Sequence, residues 1–187
     1  MKILLSLLAL AACAGPAPDR ISAQLNVWRI ETTRGSGSGS PIRQTPPHIW
    51  FLTAKHLEPS TEWSATTTTT TLKDGAVIRR HPTEDVMIIA FPNTNTNTNI
   101  PIHHPRFDPL ELGTVVYGSG WAHRYHWLTH GIVSGPQRVT CPIAPGDSGG
   151  ALLDAQGYLI GVLVARLSRH DAHMGVVVPI HKLKEWL

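Results

Sequence analysis

The sequence predicts an all-β protein, on three observations. Apolar and β-branched runs of strand length recur along the chain, helical periodicity is scarce ahead of the C-terminus, and 16 glycines and 15 prolines lie scattered between the runs. At 187 residues the chain can bury one substantial core, or two small barrels sharing an interface.

The elements follow in order. Residues 25–32 form the first candidate strand. Residues 35–40 alternate Gly and Ser between two strand candidates and read as a glycine-rich turn. Residues 48–54, 76–80 and 86–91 are strands. The unbroken threonine run 66–71 has strong β preference and is assigned to a strand. The alternating Asn and Thr of 93–99, directly after Pro92, read as an exposed loop. Residues 114–117, 131–134, 151–154, 158–165 and 175–179 are further strands. Asp154-Ala155-Gln156-Gly157 is a hairpin turn between two of them. Ile180, Leu183, Trp186 and Leu187 share one face of a short C-terminal helix.

Charge excludes one class of function. The net charge of +3 and pI near 9.1 are only mildly basic, and Lys and Arg form no run, so no nucleic-acid partner is expected. The first residues differ in kind. Lys2 precedes an apolar run, residues 3–12, ending in small residues, which is the build of a secretory signal and too short to span a bilayer. Leu10-Ala11-Ala12-Cys13 is similar to a bacterial lipoprotein signal, in which Cys13 is lipidated and becomes the new N-terminus. Ordinary cleavage after Ala14 is the alternative. Residues 1–13 are therefore assigned to the signal, 14–24 to a proline-stiffened tether, and 25–187 to the folded domain. Export to the cell envelope or outside the cell is expected, with membrane anchoring through Cys13. Cys141 then has no partner in the chain and is a small buried thiol, so the fold must stand on its core.

Ser148 lies in Gly146-Asp147-Ser148-Gly149-Gly150, between Ala144-Pro145 and the apolar Ala151-Leu152-Leu153. A serine hydroxyl needs a base to take its proton and donors to stabilise the oxyanion that develops. The surrounding glycines allow positive φ and close approach of a substrate carbonyl. Upstream, His56 stands at the exit of strand 48–54, and Asp85 at the lip of strand 86–91, where a partly desolvated carboxylate can orient an imidazole. Glu84 competes with Asp85 and otherwise reads as a solvated turn residue.

Together these residues resemble the chymotrypsin-like (trypsin-like) serine peptidases, whose chain order is His, Asp, Ser. The resemblance extends from about residue 26 to 187. It takes in Gly35-Ser36-Gly37-Ser38-Gly39, the runs 113–121 and 130–135, and the tail 158–179. It implies two six-stranded antiparallel β-barrels, about 25–105 and 110–187, with His56 and Asp85 from the first meeting Ser148 from the second. It implies an oxyanion hole from the N–H groups of Gly146 and Ser148, a polypeptide substrate paired against Val164-Ala165-Arg166, and no metal or cofactor. Pro142 stands where trypsins carry a specificity-setting aspartate, which argues against cleavage after Lys or Arg. Gly175 and Arg166 are candidate pocket residues, and Val164 stands about where many relatives place a serine bonded to the catalytic aspartate. The chain lacks an Ile-Val-Gly-Gly-like activation site, and no PDZ-like extension follows Leu187, so neither zymogen activation nor a full HtrA-type protease is expected.

The remaining histidines, His103 with His104, His123 with His126 and His170 with His173, have ligand-like spacings without a supporting Cys, Asp or Glu pattern. They are read as solvated loop residues. Two rivals stand beside the endopeptidase: a protease-fold lipoprotein that binds peptide without turnover, and an esterase. The esterase is only partly matched, because its Gly-x-Ser-x-Gly elbow leads into a helix and this one leads into a strand.

Overall fold

The structure, a computed structural model, describes residues 26–93, 99–166 and 174–187, with the backbone alone for Ala165 and Arg166. Cys13 and the N-terminal segment, most of the Asn/Thr tract, and His170 and His173 lie outside the described residues. Thirteen strands are described: β1 (Trp28–Thr32), β2 (Gly35–Thr45), β3 (His48–Ala54), β4 (Trp63–Thr66), β5 (Thr71–Leu72), β6 (Ala76–Arg80), β7 (Val86–Pro92), β8 (Val115–Ala122), β9 (Tyr125–Gly135), β10 (Arg138–Val139), β11 (Ala151–Leu153), β12 (Leu159–Arg166) and β13 (Gly175–Pro179).

They form two antiparallel units. The second closes as a six-stranded barrel in the order β10-β13-β12-β11-β8-β9. The first is a seven-stranded sheet, β5-β4-β1-β2-β3-β7-β6, whose end strands do not pair. This corrects the expected six-stranded first barrel. Closure fails because β5 offers only two residues and β6 turns its side chains to solvent.

Period-two alternation explains the layering. In β7, Met87, Ile89 and Phe91 face the core of the first unit, with Trp28, Ile30, Ile49 and Phe51. Val86 and Ile88 face the opposite way, joining Leu52 and Ala54 of β3 against Ala151, Leu153, Val162 and Val164 of the second unit. Both faces of these strands are therefore apolar, which is why residues 86–91 read as one unbroken hydrophobic run. A third cluster, including Val116, Val133, Cys141, Leu152, Leu163 and Val177, fills the second barrel. Cys141 is fully buried, its thiol pushed up to about 11 by desolvation, which keeps it an inert space-filler.

Four local expectations change. The Gly/Ser segment is no turn but the first half of the 11-residue β2. Its small residues answer to close packing: a Cβ on Gly37 would lie 2.7 Å from the Ser148 carbonyl oxygen, and one on Gly39 2.7 Å from Ile30. The threonine run splits, because Thr67 N donates to the Thr70 carbonyl (2.8 Å) and turns β4 into β5. The C-terminal helix is a single 3-10 turn, Ile180–Leu183, after which Trp186 N and Leu187 N both donate to the Leu183 carbonyl. That tight winding seats Ile180, Leu183 and Trp186 in the core between the units. His103 is no solvated loop residue: it is fully buried, its backbone N–H bonded to the Pro41 carbonyl (2.8 Å).

Burial lowers the His103 imidazole to about 4, opposed by its bond to the Asn26 carbonyl and aided by the neighbouring His104 charge. Between pH 6.5 and about 4 the unfolded chain therefore binds a proton that the folded chain refuses, so stability falls as pH falls through that window. The contribution approaches about 1.4 kcal/mol per pH unit. Thermal unfolding followed from pH 7 to 4 should show this decline, and His103→Phe should flatten it.

Candidate active site

The pairing of β3 with β7 brings two of the predicted residues together. The register sets Ala54 opposite Val86, so the residues just outside the pair, Lys55-His56 and Asp85, become neighbours. The Lys55 N–H donates to the Asp85 carbonyl (3.3 Å). The Asp85 carboxylate then takes two bonds from His56, one from its backbone N–H (2.9 Å) and one at Nδ1 (2.6 Å). The carboxylate fixes the ring with its proton on Nδ1, which leaves Nε2 as an acceptor. This bond, working against partial burial, raises the imidazole above its ordinary value of 6.5. Glu84, the competitor, points elsewhere and binds Lys182 (3.1 Å).

Ser148 arrives from the second barrel, on the loop before β11. Ala144-Pro145-Gly146-Asp147 forms a tight turn closed by the Asp147 N–H on the Ala144 carbonyl (3.0 Å), with Gly146 at φ +106°. Proline second and a positive-φ glycine third are the residues a type II turn demands. A Cβ on Gly149 (φ +89°) would come within 2.0 Å of the Ser38 carbonyl oxygen, so this position too admits only glycine.

The loop's polar groups are almost fully used. The carbonyls of Ala144, Pro145, Gly146, Asp147 and Ser148 accept bonds from Asp147 N, His123 N, Ser38 Oγ, Gly150 N and Ser38 N, in that order. Ala144 N–H donates to the Asp147 carboxylate and Gly149 N–H to the Leu163 carbonyl. Among the described residues, the two N–H groups left without a partner between 144 and 150 are those of Gly146 and Ser148. They are the two that the family resemblance implies as oxyanion donors.

His56, Asp85 and Ser148 line one cavity of about 400 Å³, together with Ile143, Ala144, Pro145 and Val164. Among the described residues, its walls beyond those three polar side chains are apolar. Pro142 and Gly175 are not among these walls. Gly175 lies behind Ile143, whose Cδ1 would be 2.2 Å from a Cβ there. The side chains of Ala165 and Arg166 lie outside the described residues, so the inward-pointing arginine is not described. The Ser148 hydroxyl donates to the Val164 carbonyl (3.2 Å) and not to His56. Val164 thus bears on the site through its backbone.

One contributor escaped the sequence reading. Ser38 of β2 is fully buried and makes four bonds. Its N–H holds the Ser148 carbonyl (2.7 Å), its hydroxyl donates to the Gly146 carbonyl (2.7 Å) and accepts the Trp121 N–H (2.8 Å), and its own carbonyl accepts Thr53 Oγ1 (2.6 Å). Ser38 repeats the composition of its neighbours in Gly-Ser-Gly-Ser-Gly-Ser, so nothing local marks it out.

A model of the trypsin-like peptidase domain matches residues 35–162. Among solved structures, the inactive form of Rv3671c from M. tuberculosis H37Rv is 20% identical over 90% of this chain and 87% of that one, with a TM-score of 0.72. The serine endoprotease from Yersinia pestis is 20% identical over 89% of this chain, at a TM-score of 0.74. The HtrA-type protease AlgW with a decapeptide is 19% identical over 90%, at 0.72. This chain spans 63% of the Yersinia pestis protein and 65% of AlgW. No curated protein matches the sequence.

Two measurements check this geometry. The His56 ring protons should titrate by NMR with a midpoint above 6.5, and Asp85→Asn should bring it to 6.5 or below, since only the desolvation remains. Ser38→Ala strands the Gly146 carbonyl and the Trp121 N–H, and should lower the free energy of denaturant unfolding by about 2–3 kcal/mol.

Proposed function

This chain belongs to the trypsin-like peptidase family, and on that premise we propose that it is a serine endopeptidase that cleaves polypeptides through an acyl-enzyme on Ser148. The observation that carries the proposal is the convergence of His56, Asp85 and Ser148 on one cavity, beside two unpartnered N–H groups. The Ser148 hydroxyl swings from the Val164 carbonyl towards His56 Nε2 and attacks the scissile carbonyl as His56 takes its proton. Asp85 holds the imidazolium in place. The oxyanion sits against the N–H groups of Gly146 and Ser148, where each donor contributes about 3–4 kcal/mol in the transition state. The C–N bond then breaks as His56 returns the proton to the leaving amine, and water releases the acyl group by the same steps reversed.

Substrate orientation follows from the strands. β11 pairs with β12 only as far as Val162, which leaves the stretch from Val164 to Arg166 without a strand partner among the described residues on the side of Ser148. An extended peptide can add there as a further strand. The apolar Ile143 and Ala144 beside Ser148 favour a small apolar residue at the cleaved position. AlgW, with its bound decapeptide, is an example of peptide binding on this fold. The N-terminal run and Cys13 support export and anchoring by a lipidated cysteine.

The alternative is a protease-fold lipoprotein that binds peptide without turnover, and it draws on the bond of Ser148 to Val164 rather than to His56. A fluorophosphonate probe separates the two. Adduct at Ser148 in the folded wild type, lost in Ser148→Ala and cut at least about 10³-fold in rate in His56→Ala, is the expected result. An unlabelled folded protein refutes the enzyme. A peptide library should show cleavage after small apolar residues, and strong cleavage after Lys or Arg would refute the pocket assignment.

A further inference from the structure

Asp147, next to the nucleophile, is a buried carboxylate with no cation bonded to it among the described residues. It is 1% exposed, yet none of the ion pairs among those residues includes it. An unpaired charge of this kind is expensive unless every oxygen is hydrogen-bonded. Both are. The Trp127 indole N–H donates to Oδ1 (2.7 Å), and the Ala144 N–H to Oδ2 (2.8 Å). Desolvation pushes the carboxyl up, and these two donors, with the His123 charge, pull it back towards the ionised form.

The route between Asp147 and Trp127 is built in. Trp127 of β9 pairs with Gly120 of β8, and a Cβ on Gly120 would sit 2.4 Å from Asp147 Oδ1. Only a glycine lets the carboxylate pass over β8 to the indole. At its other end Asp147 closes the turn twice, with its backbone N–H on the Ala144 carbonyl and its carboxylate on the Ala144 N–H. The two candidate oxyanion donors, Gly146 and Ser148, flank it on either side.

We propose that Trp127 is a positioning residue: through Asp147 and across Gly120, its indole N–H locks the 144–148 turn so that the N–H groups of Gly146 and Ser148 converge. The inference rests on the serine-endopeptidase reading above and deepens it. The lock is made by a neutral side chain from within the second barrel, so the loop is set by folding of that barrel and needs no charged partner delivered from elsewhere. Removing the indole leaves Oδ1 buried without a donor. The carboxylate then protonates or turns towards water, and the turn that carries both N–H groups goes with it.

The test combines Trp127→Phe with Gly120→Ala, which blocks the carboxylate's path without touching the indole. Both should lower kcat on a peptide substrate by about 10²-fold, within the range seen for loss of an oxyanion donor, with KM changed by less than about threefold. A packing defect would not divide in this way. In a double-mutant cycle, Trp127→Phe should cost little further kcat once Asp147 is alanine, because the two act as one unit. Independent, multiplying losses would overturn the lock. In the wild type, one indole N–H resonance should lie downfield of the others and return among them in Asp147→Ala; if none does, the lock is refuted even where a variant fails to fold. Wild type that labels at Ser148 and keeps its full kcat in Trp127→Phe overturns this inference alone. Folded wild type that does not label at Ser148 overturns the endopeptidase reading beneath it.

Discussion

Ser38 pins the loop that carries Ser148 in one unit to a central strand of the other, and the geometry of the candidate site depends on that pin. Its N–H and hydroxyl take the carbonyls of Ser148 and Gly146. Those two carbonyls are thereby bonded across the interface, while the N–H groups of the same two residues have no partner among the described residues. The same residue holds Thr53, three positions ahead of His56, through its own carbonyl. The strand that leads to His56 on one unit and the loop that carries Ser148 on the other are thereby tied to a single buried residue. Close packing enforces it: neither Gly37 nor Gly149 has room for a Cβ. A second inter-unit bond, from the Trp121 indole to the Val27 carbonyl (2.6 Å), adds a brace at the same edge.

Two carboxylates near Ser148 live under opposite conditions. Asp85 is about one-third exposed and faces an ionisable partner, so its influence is felt as a raised His56. Asp147 is almost fully buried and faces neutral donors, so its influence is geometric. The first raises the proton affinity of His56. The second holds a turn. The division follows from solvent access: a charge near water can exchange protons at small cost, whereas a buried one is held fixed by the bonds that make its burial tolerable.

Much of the fold was legible in the chain because most strands carry their own signal. Residues 48–54, 76–80 and 175–179 read from alternation and β-branching coincide with β3, β6 and β13. The failures share a cause. β2 was hidden by Gly37 and Gly39, which have poor β preference and sit in a strand because Ile30 and Ser148 lie against them. The threonine run has uniform propensity, and only the bond from Thr67 to Thr70 says where it bends. His103 carries no local mark of its burial, which comes with its bonds to Pro41 and Asn26 of the first unit. In each case tertiary contact overrode the local preference.

Composition and motif alone determined that this is a β protein with His56, Asp85 and Ser148 in that chain order and with glycines where the backbone must reach positive φ. Those properties are local: they follow from side-chain type, spacing and steric freedom over a few residues. Only the tertiary structure decided that the first unit stays an open seven-stranded sheet, that Ile143 lines the cavity beside Ser148, and that Ser38 and Trp127 are hydrogen-bonded to the loop that carries Ser148. Ser38 lies 110 residues from Ser148 and Trp127 lies 20 from Asp147. Hydrogen bonds at such separations come into being when strands choose their register, and no window of sequence shorter than the fold contains that choice.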